Sequence, residues 1–386
     1  MDKEFRQLLT TLIETPSYTG EEAAVVKAIA ENMEKLGFDE VFTDAPGNIL
    51  GGIHGELPGP VILFDGHIDT VRADNRKEWA GEDPFRCYEE EGKVYGRGTS
   101  DMKGAFAAML YALGTLDRSR LKGKVYLSGT VNEEVAEGFT IREVTRRLQP
   151  DLVVIGEATQ LKVNIGQRGR GEIRLSVLGK SAHSSNPDVG INAVLKMSKA
   201  LQALEEGYAV KEDVLGKGIL VLTDIISEPY PGESVIPRRC TATFDRRLLL
   251  EETRESVLGG IRTILEKLAA GDPEFAYELE FARHSITTYT GYTIDGDKFY
   301  PPWRIDPEDP FLKDVLNALK EQGIESTLGS YSFCTNGSST CGQDGIKTIG
   351  FGPGREQEAH ITNEFIQASQ LEDAIRGYRA LAYIYS

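Results

Sequence analysis

Short apolar runs, separated by turn residues, predict a series of buried strands along the first part of the chain. The run at 61–64 (VILF) is bounded by turn residues and leads to His67. The runs at 125–131 and 152–155 have the same character. Residues 105–116, between the first two runs, are small and apolar enough for a buried helix. Alternation of strands and helices predicts an α/β sheet.

Apolar residues at helical spacing mark amphipathic helices near both ends of the chain. The first of these has Val26, Ile29, Met33 and Leu36 on one face, and Gly37 ends it. Thr19 and Glu22 stand three residues apart at its start, so we expect a capping box with Thr19 as the N-cap. Residues 311–321 and 366–385 are predicted to form two later helices.

The middle of the chain has a different pattern and predicts a small inserted domain. Strands are expected at 167–178, 219–226 and 240–250, with a helix after the first and another after the last. These elements resemble a β-α-β-β-α-β arrangement, which predicts an α+β (ferredoxin-like) domain. The expected division is therefore a main domain formed by 1–166 and 287–386, with 167–286 inserted. Residues 286–310 are predicted to be a return linker, and residues 333–340 a polar loop.

Composition narrows the function classes. The 386 residues suggest two or three domains, and the net charge of −17 argues against nucleic acid or an anionic membrane as a partner. No apolar run approaches the ~20 residues of a membrane span, and the polar start is unlike a signal peptide. The four cysteines form no CxxC pair, so we expect a cytoplasmic protein without a disulfide framework.

Candidate catalytic groups follow the predicted strands at the ends where α/β sheets bind ligands. His67 and Asp69 lie two residues apart, Glu133 and Glu134 follow the second strand, and Glu157 follows the third. The alternative for each group alone is a solvated polar loop. Repetition at three strand ends favours a metal site, because histidine and carboxylates suit zinc, cobalt or manganese.

A glycine-rich loop at 96–104 lies just ahead of the predicted buried helix and contains Asp101. Phosphate binding is the competing interpretation of such a loop. Neither GxGxxG nor GxxxxGK[ST] is present in it, so phosphate binding is disfavoured.

Together, five motifs in this order resemble the M20 metallopeptidases, which include acetylornithine deacetylase, succinyl-diaminopimelate desuccinylase, aminoacylase and carboxypeptidase G. The motifs are His67-Ile68-Asp69, the glycine-rich loop around Asp101, Asn132-Glu133-Glu134, Gly156-Glu157 and Gly352-Pro353-Gly354 with Ala359-His360. The resemblance runs nearly end to end. The C-terminal motifs are most similar to the deacetylase branch, and also to a bacterial hydrolase group linked with selenium metabolism.

The resemblance implies a mixed-sheet, zinc-peptidase-like catalytic domain that holds two divalent metal ions, most often zinc, with cobalt or manganese as alternatives. The implied ligands are His67 and Glu157 for one metal, Glu134 and His360 for the other, and Asp101 with a water between them. Glu133 is the implied general base and Asp69 the support for His67. The peptide bond after Asp101 is usually cis in the family.

The inserted domain resembles the family's lid and dimerisation domain, which implies a homodimer. His183 matches a histidine that stabilises the oxyanion, and Arg247 matches an arginine that binds the substrate carboxylate. Arg246 should point to the other face of its strand. Asn336 and Ser338 are expected to line the substrate pocket.

The implied activity is hydrolysis of the amide bond of a small N-acyl amino acid with a free carboxylate, through a metal-bridging hydroxide. A dipeptidase or carboxypeptidase of the same family, acting on a small peptide, is one alternative, and a non-catalytic amino-acid-binding relative is another. A serine hydrolase is disfavoured because GxSxG is absent, and a cysteine hydrolase because no cysteine has a partner motif. Cys341 and the stretch 362–364 depart from the usual family pattern, which leaves the substrate open.

Overall fold

The computed structural model describes residues 1–385, which form two compact units. The first unit contains Met1–Gln167, Ser285–Ile294 and the chain from Trp303 onward. The second contains Arg168–His284 and Asp295–Pro302. The second stretch of the second unit was expected in the last piece of the main domain. It belongs to the second unit because Phe299 and Tyr300 pair with a strand of that unit.

The helices and strands alternate along most of the chain. The helices are α1 Lys3–Ile13, α2 Ala23–Lys35, α3 Lys103–Gly114, α4 Ile141–Leu148, α5 Ala193–Gly207, α6 Arg254–Gly271, α7 Pro310–Glu321, α8 Gly337–Thr340 and α9 Ala368–Ala382. The strands are β1 Glu40–Thr43, β2 Ile49–His54, β3 Leu57–His67, β4 Tyr88–Glu90, β5 Lys93–Tyr95, β6 Lys122–Thr130, β7 Leu152–Ile155, β8 Val163–Gln167, β9 Gly169–Leu178, β10 Glu212–Asp213, β11 Gly216–Lys217, β12 Ile219–Glu228, β13 Arg239–Leu248, β14 Ala276–Phe281, β15 Arg283–Thr287, β16 Thr293–Asp297, β17 Phe299–Tyr300, β18 Trp303–Arg304, β19 Leu328–Tyr331, β20 Thr348–Gly350 and β21 Phe365–Gln367.

A mixed sheet forms the centre of the first unit, as the fold class predicted. Its strand order is β1-β2-β6-β3-β7-β20-β8-β18, and β19 also pairs with β8. β3 runs parallel to both β6 and β7, and β20 runs parallel to β7. β2 is antiparallel to β6, and β8 is antiparallel to β20. The parallel strands β6, β3 and β7 therefore end at one edge of the sheet.

Helix α3 is the buried helix that the sequence predicted. Residues 103–110, 112 and 113 are all buried in it. It lies directly after the Asp101 loop and belongs to the core beneath the sheet. Small side chains permit this close packing: a Cβ at Gly104 would lie 2.1 Å from the carbonyl oxygen of Thr99.

The start of α2 differs from the expected capping box. Glu22 occupies the N-cap position and makes no side-chain bond to the helix start. The Thr19 hydroxyl instead donates to Asp69 Oδ2 at 2.8 Å, and Glu22 Oε1 accepts from the backbone of Gly20 at 2.9 Å. The Thr19 side chain is therefore bonded to a residue distant in the sequence, and the Glu22 side chain to Gly20 in its own loop. Neither side chain caps the helix.

The second unit has the predicted β-α-β-β-α-β order, formed by β9, α5, β12, β13, α6 and β14. Its antiparallel sheet has the order β12-β13-β9-β14, which is the ferredoxin-like arrangement. Apolar residues of the sheet and of both helices form one core, among them Ile173, Leu175, Met197, Leu204, Val257 and Ile261.

The stretch expected to be a polar loop at 333–340 is instead buried and includes α8. Thr335 Oγ1 donates to Gln167 Oε1 at 2.6 Å, so this hydroxyl is satisfied by the protein rather than by solvent. The return segment likewise contains short strands rather than only linker. Across residues 1–385, no helix has both the length and the apolar character needed to span a membrane.

Candidate metal centre

The strand ends of the first unit place candidate ligands at one edge of the sheet. His67 is the last residue of β3, and β3 lies between β6 and β7. Glu133 and Glu134 follow the end of β6, and Glu157 follows β7 by two residues. Because these strands are parallel, the three segments converge as the sequence predicted.

Asp101 links two groups of possible ligand atoms. His67 Nε2 lies 2.8 Å from Asp101 Oδ1 and 3.4 Å from Glu157 Oε1. His360 Nε2 lies 2.9 Å from Asp101 Oδ2 and 3.1 Å from Glu134 Oε2. In each group the ligand atoms lie within 4.8 Å of one another, so each could hold one metal ion. The five residues expected as ligands are thus together, and Asp101 offers one oxygen to each group.

The electrostatics of the cluster favour a cation. Burial raises the pKa of Glu134 to about 7 and that of Glu157 to about 8, and the charge of Asp101 adds to both shifts. Although burial opposes it, hydrogen bonds from His360 and His67 hold the pKa of Asp101 below its usual range. Two imidazoles and three carboxylates in such a space are a donor set that suits zinc, cobalt or manganese.

His67 is oriented by the backbone of Asp69 rather than by its carboxylate. Nδ1 of His67 donates to the Asp69 carbonyl oxygen at 2.9 Å, whereas the carboxylate Oδ1 is 3.7 Å away. The support expected from Asp69 is therefore present, but through a different atom. A carbonyl partner of this kind fixes the tautomer of a metal-binding histidine.

The turn that carries Glu133 and Glu134 is held by the carboxylate of Asp69. Oδ1 accepts from the backbone N–H of Glu133 at 3.1 Å, and Oδ2 accepts from that of Glu134 at 3.3 Å. Glu133 itself is buried, and its Oε1 has no hydrogen-bond partner among residues 1–385. Burial raises the pKa of the Glu133 carboxyl well above its usual range.

The loop that carries Asp101 is held by Glu364, a residue to which sequence reasoning gave no role. Glu364 Oε1 accepts from the backbone N–H of Ser100 at 2.8 Å and of Asp101 at 3.0 Å. Its Oε2 pairs with Arg97 Nη1 at 2.5 Å, and both side chains are buried. The peptide bond between Asp101 and Met102 is cis, as the resemblance implied. No sequence spacing reveals a pair 267 residues apart.

His183 and Arg247 belong to the second unit, and their roles toward substrate stay predictions. His183 is exposed, and its Nδ1 lies 2.8 Å from Ser185 Oγ. Arg247 is partly exposed and its Nε donates to Asp245 Oδ1 at 2.8 Å. The adjacent Arg246 is buried and donates to the carbonyl of Ile219 at 3.1 Å. The two arginines thus occupy different environments, as strand alternation predicted.

The two remaining predicted residues, Asn336 and Ser338, are buried, and their role toward substrate stays a prediction. Asn336 Nδ2 donates to Asp65 Oδ2 at 2.8 Å and to Thr130 Oγ1 at 3.0 Å. Its Oδ1 accepts from the Gly138 N–H at 2.8 Å. The structure therefore uses the Asn336 amide inside the first unit, and does not bring it into the cluster of ligands.

This fold and site define a metal-dependent hydrolase. A model of "Peptidase family M20/M25/M40" matches residues 63–384, and the chain belongs to that family. It is similar to "Uncharacterized protein YgeY" of Escherichia coli K12, at 35% identity over 98% of this chain and 93% of that protein. It is also similar to acetylornithine deacetylase of Photorhabdus laumondii, at 28% identity over 95% of this chain and 93% of that enzyme.

Solved structures of M20 enzymes share the fold. Aminopeptidase PepT of Bacillus cereus superposes with a TM-score of 0.77 at 18% identity, over 100% of both chains. The YXEP protein of Bacillus subtilis, described as a dinuclear metal binding peptidase, gives 0.72 at 17% identity, over 100% of this chain and 99% of that one.

Proposed function

We propose that the protein is a dinuclear-metal amidohydrolase that cleaves the amide bond of a small N-acyl amino acid. The position of Asp101 carries the proposal, because its two oxygens each face a separate histidine and carboxylate pair. Two divalent ions, with zinc the first choice and cobalt or manganese as alternatives, would polarise the amide carbonyl and acidify water. His67 and Glu157 would hold one ion, His360 and Glu134 the other.

Glu133 would act as the general base. Its free Oε1 can accept a proton from the attacking water, and the same carboxyl can pass that proton to the leaving nitrogen. Burial favours the protonated carboxyl between these two events, since it raises the pKa of Glu133. Asp69 would position both Glu133 and His67 through the bonds described above.

A test of this role replaces Glu133 with Gln, which keeps the size but not the basicity. We expect both metal ions to stay bound and turnover to fall about 10²- to 10⁴-fold. The exposed Glu21 replaced with Gln is the matched control and should change nothing. Unchanged turnover in Glu133→Gln would contradict the assignment.

The substrate would enter a cavity that borders Glu134 in the first unit. This cavity has a volume of about 570 Å³, which is in the usual range for small ligands. Its walls include Tyr18, Val135 and Ile286, and the Arg72 guanidinium lies 5.1 Å from the centre of the Tyr18 ring. We assign the substrate carboxylate to Arg247 and the developing oxyanion to His183 on their sequence motifs alone.

A dipeptidase or carboxypeptidase activity is the second candidate, because the structures with the same fold include peptidases. The deciding experiment is a hydrolysis panel of N-acetyl, N-succinyl and N-carbamoyl amino acids and dipeptides. It is run with zinc, cobalt or manganese and repeated with a chelator. Chelator-sensitive turnover of acylated amino acids supports the proposal, and turnover of dipeptides alone supports the second candidate. No turnover with two ions bound would favour a non-catalytic relative.

We also propose a homodimer formed through the second unit, because strand β12 exposes apolar side chains at the edge of its sheet. β12 is an edge strand, and Val221, Leu222, Ile225 and Ile226 are 49%, 42%, 47% and 53% exposed. A long apolar edge of this kind pairs readily with a second strand. Replacing Val221 and Ile225 with Lys should give a monomer by light scattering, whereas Val214→Lys, at another exposed apolar position, should not. A cytoplasmic location stays a prediction from the sequence.

A further inference from the structure

We propose that Glu22 is a positioning residue for the turn that carries Glu133 and Glu134. The inference rests on the proposed function, since it concerns the same metal ligand and the same general base.

Three consecutive backbone N–H groups of the turn point at two buried carboxylates. Asn132 N–H donates to Glu22 Oε1 at 3.2 Å, and the next two N–H groups donate to the two oxygens of Asp69 at 3.1 and 3.3 Å. Asn132 has a φ of 57°, in the left-handed region, so the chain turns sharply at this point. Glu22 therefore holds the first residue of the turn, and Asp69 holds the two that perform chemistry.

The burial of Glu22 has no explanation within its own helix. The side chain is fully buried, yet it makes no capping bond to α2. Oε1 accepts from the backbone N–H groups of Gly20 and Asn132, and Oε2 has no hydrogen-bond partner among residues 1–385. A carboxyl in apolar surroundings is costly unless its hydrogen bonds are needed. The bond to Asn132 is the one that reaches beyond its own loop.

The loop before α2 contacts both Asp69 and the turn that carries Glu133 and Glu134. Thr19, three residues before Glu22, donates its hydroxyl to Asp69 Oδ2 at 2.8 Å. The segment 19–22 thus fixes the Asp69 carboxylate with a donor and the Asn132 turn with an acceptor. Loss of the Glu22 contact would let the turn shift relative to β3, which carries His67. Outer contacts of this kind typically change metal affinity or activity by about 10- to 100-fold.

The experiment compares Glu22→Met, which has no acceptor, with Glu22→Gln, which keeps one carbonyl oxygen for both N–H groups. The matched control is Glu21→Gln, at the exposed neighbouring position. Binding of two cobalt ions is followed by visible absorption, which needs no substrate. Thermal unfolding is measured beside it, and then kcat and KM on the substrate found with the panel.

We expect Glu22→Met to weaken one of the two cobalt sites by about 10- to 100-fold and to lower kcat more than it raises KM. Glu22→Gln should stay within about threefold of the wild type, because its acceptor remains. If Glu22→Met does not fold, Glu22→Asp makes the same test, since its carboxylate is one methylene too short to reach Asn132.

The inference would be overturned if Glu22→Met bound cobalt and turned over substrate as the wild type does and differed only in a lower Tm. Glu22 would then be a structural residue. The inference would also be overturned if Glu22→Gln lowered cobalt affinity and kcat as much as Glu22→Met. The charge of Glu22, rather than its hydrogen bond from Asn132, would then be what the site requires. A wild type that binds fewer than two ions would overturn the proposed function and this inference together. Two bound ions without turnover would overturn only the proposed function, because the variant affinities still decide the role of Glu22.

Discussion

The Asp101 loop and the Glu133–Glu134 turn are both held by buried carboxylates, but only one of these carboxylates pairs with an arginine. Glu364 accepts two N–H groups of the Asp101 loop and also pairs with Arg97. Glu22 and Asp69 accept three N–H groups of the other turn, and neither forms an ion pair with lysine or arginine within residues 1–385. One turn is therefore held by a carboxylate paired with arginine, and the other by two carboxylates that have no lysine or arginine partner within residues 1–385.

The two kinds of buried carboxylate should respond to different changes, one to the loss of its ion-pair partner and the other to pH. A buried ion pair is destroyed most severely when one partner is removed, because the other is left charged in the protein interior. A buried carboxyl without a cation is instead sensitive to pH, because burial favours its neutral form. Four measurements test this contrast, and the first of them should show the greatest change.

The largest effect is expected from Glu364→Leu, which leaves Arg97 buried and unpaired. We expect a loss of about 3–5 kcal/mol in the free energy of unfolding. The double variant Arg97→Met/Glu364→Leu should recover most of that stability, yet it should not recover metal affinity, since the Asp101 loop has lost its acceptor. Urea unfolding and cobalt titration measure the two effects separately. A double variant as unstable as the single one would contradict the ion-pair explanation.

The pH dependence of stability should reveal the uncompensated carboxyl of Glu22. Burial and then the charge of Asp69 raise its pKa from 4.5 to about 7. Between these values the folded protein keeps a proton that the unfolded chain releases, so stability falls as the pH rises through this window. The loss is on the order of 3 kcal/mol. Glu22→Gln does not titrate, and its unfolding free energy should rise relative to the wild type from pH 4.5 to 7. Parallel curves for the two proteins would disprove the assignment.

A smaller effect is expected from Asp69→Asn, which exchanges one acceptor oxygen for a donor. One N–H of the Glu133–Glu134 turn then faces an NH₂ group, and we expect the metal site of Glu134 to weaken by about 10- to 100-fold. His67 is held by the Asp69 carbonyl, so the other site should keep its affinity. A cobalt titration that resolves the affinities of the two sites decides this. Equal weakening of both sites would contradict the separate roles of the Asp69 carbonyl and carboxylate.

The smallest effect is expected from Thr19→Val, which removes one donor to Asp69 without changing the shape of the side chain. We expect about 1 kcal/mol of lost stability and little change in metal binding, because the two backbone donors remain. Thr19→Ser, which keeps the hydroxyl, is the control. The thermal midpoints of the two variants give the comparison, and identical values would leave the hydroxyl without a role.

Most of the metal centre could be predicted from the sequence, because its ligands lie at strand ends. Apolar runs reveal the strands, and α/β sheets bind ligands at the carboxyl ends of their strands. His67, Glu134 and Glu157 follow apolar runs, and the parallel order of those strands brings them together. The α+β unit was predictable for a similar reason, because each of its elements has its own periodicity. The roles of these residues in catalysis remain proposals.

The anchors of the site could not be predicted, because no local pattern encodes a tertiary hydrogen bond. Thr19 and Glu22 have the spacing of a capping box, and that spacing gave the wrong partners for both. Glu364 meets Asp101 only after the chain has passed through another unit. The hydrogen bonds of Asn336 to Asp65 and Thr130 likewise join residues that are far apart in the sequence.

Strand β20 has a consequence for the synthesis of the chain. It lies between β7 and β8, although it follows them by well over a hundred residues, at Thr348–Gly350. A ribosome therefore releases nearly the whole polypeptide before this gap in the sheet can be filled. Until then, the facing edges of β7 and β8 present unpaired backbone groups, which are templates for aggregation. A nascent chain that stalls or is truncated before residue 348 should consequently depend on chaperones to remain in solution.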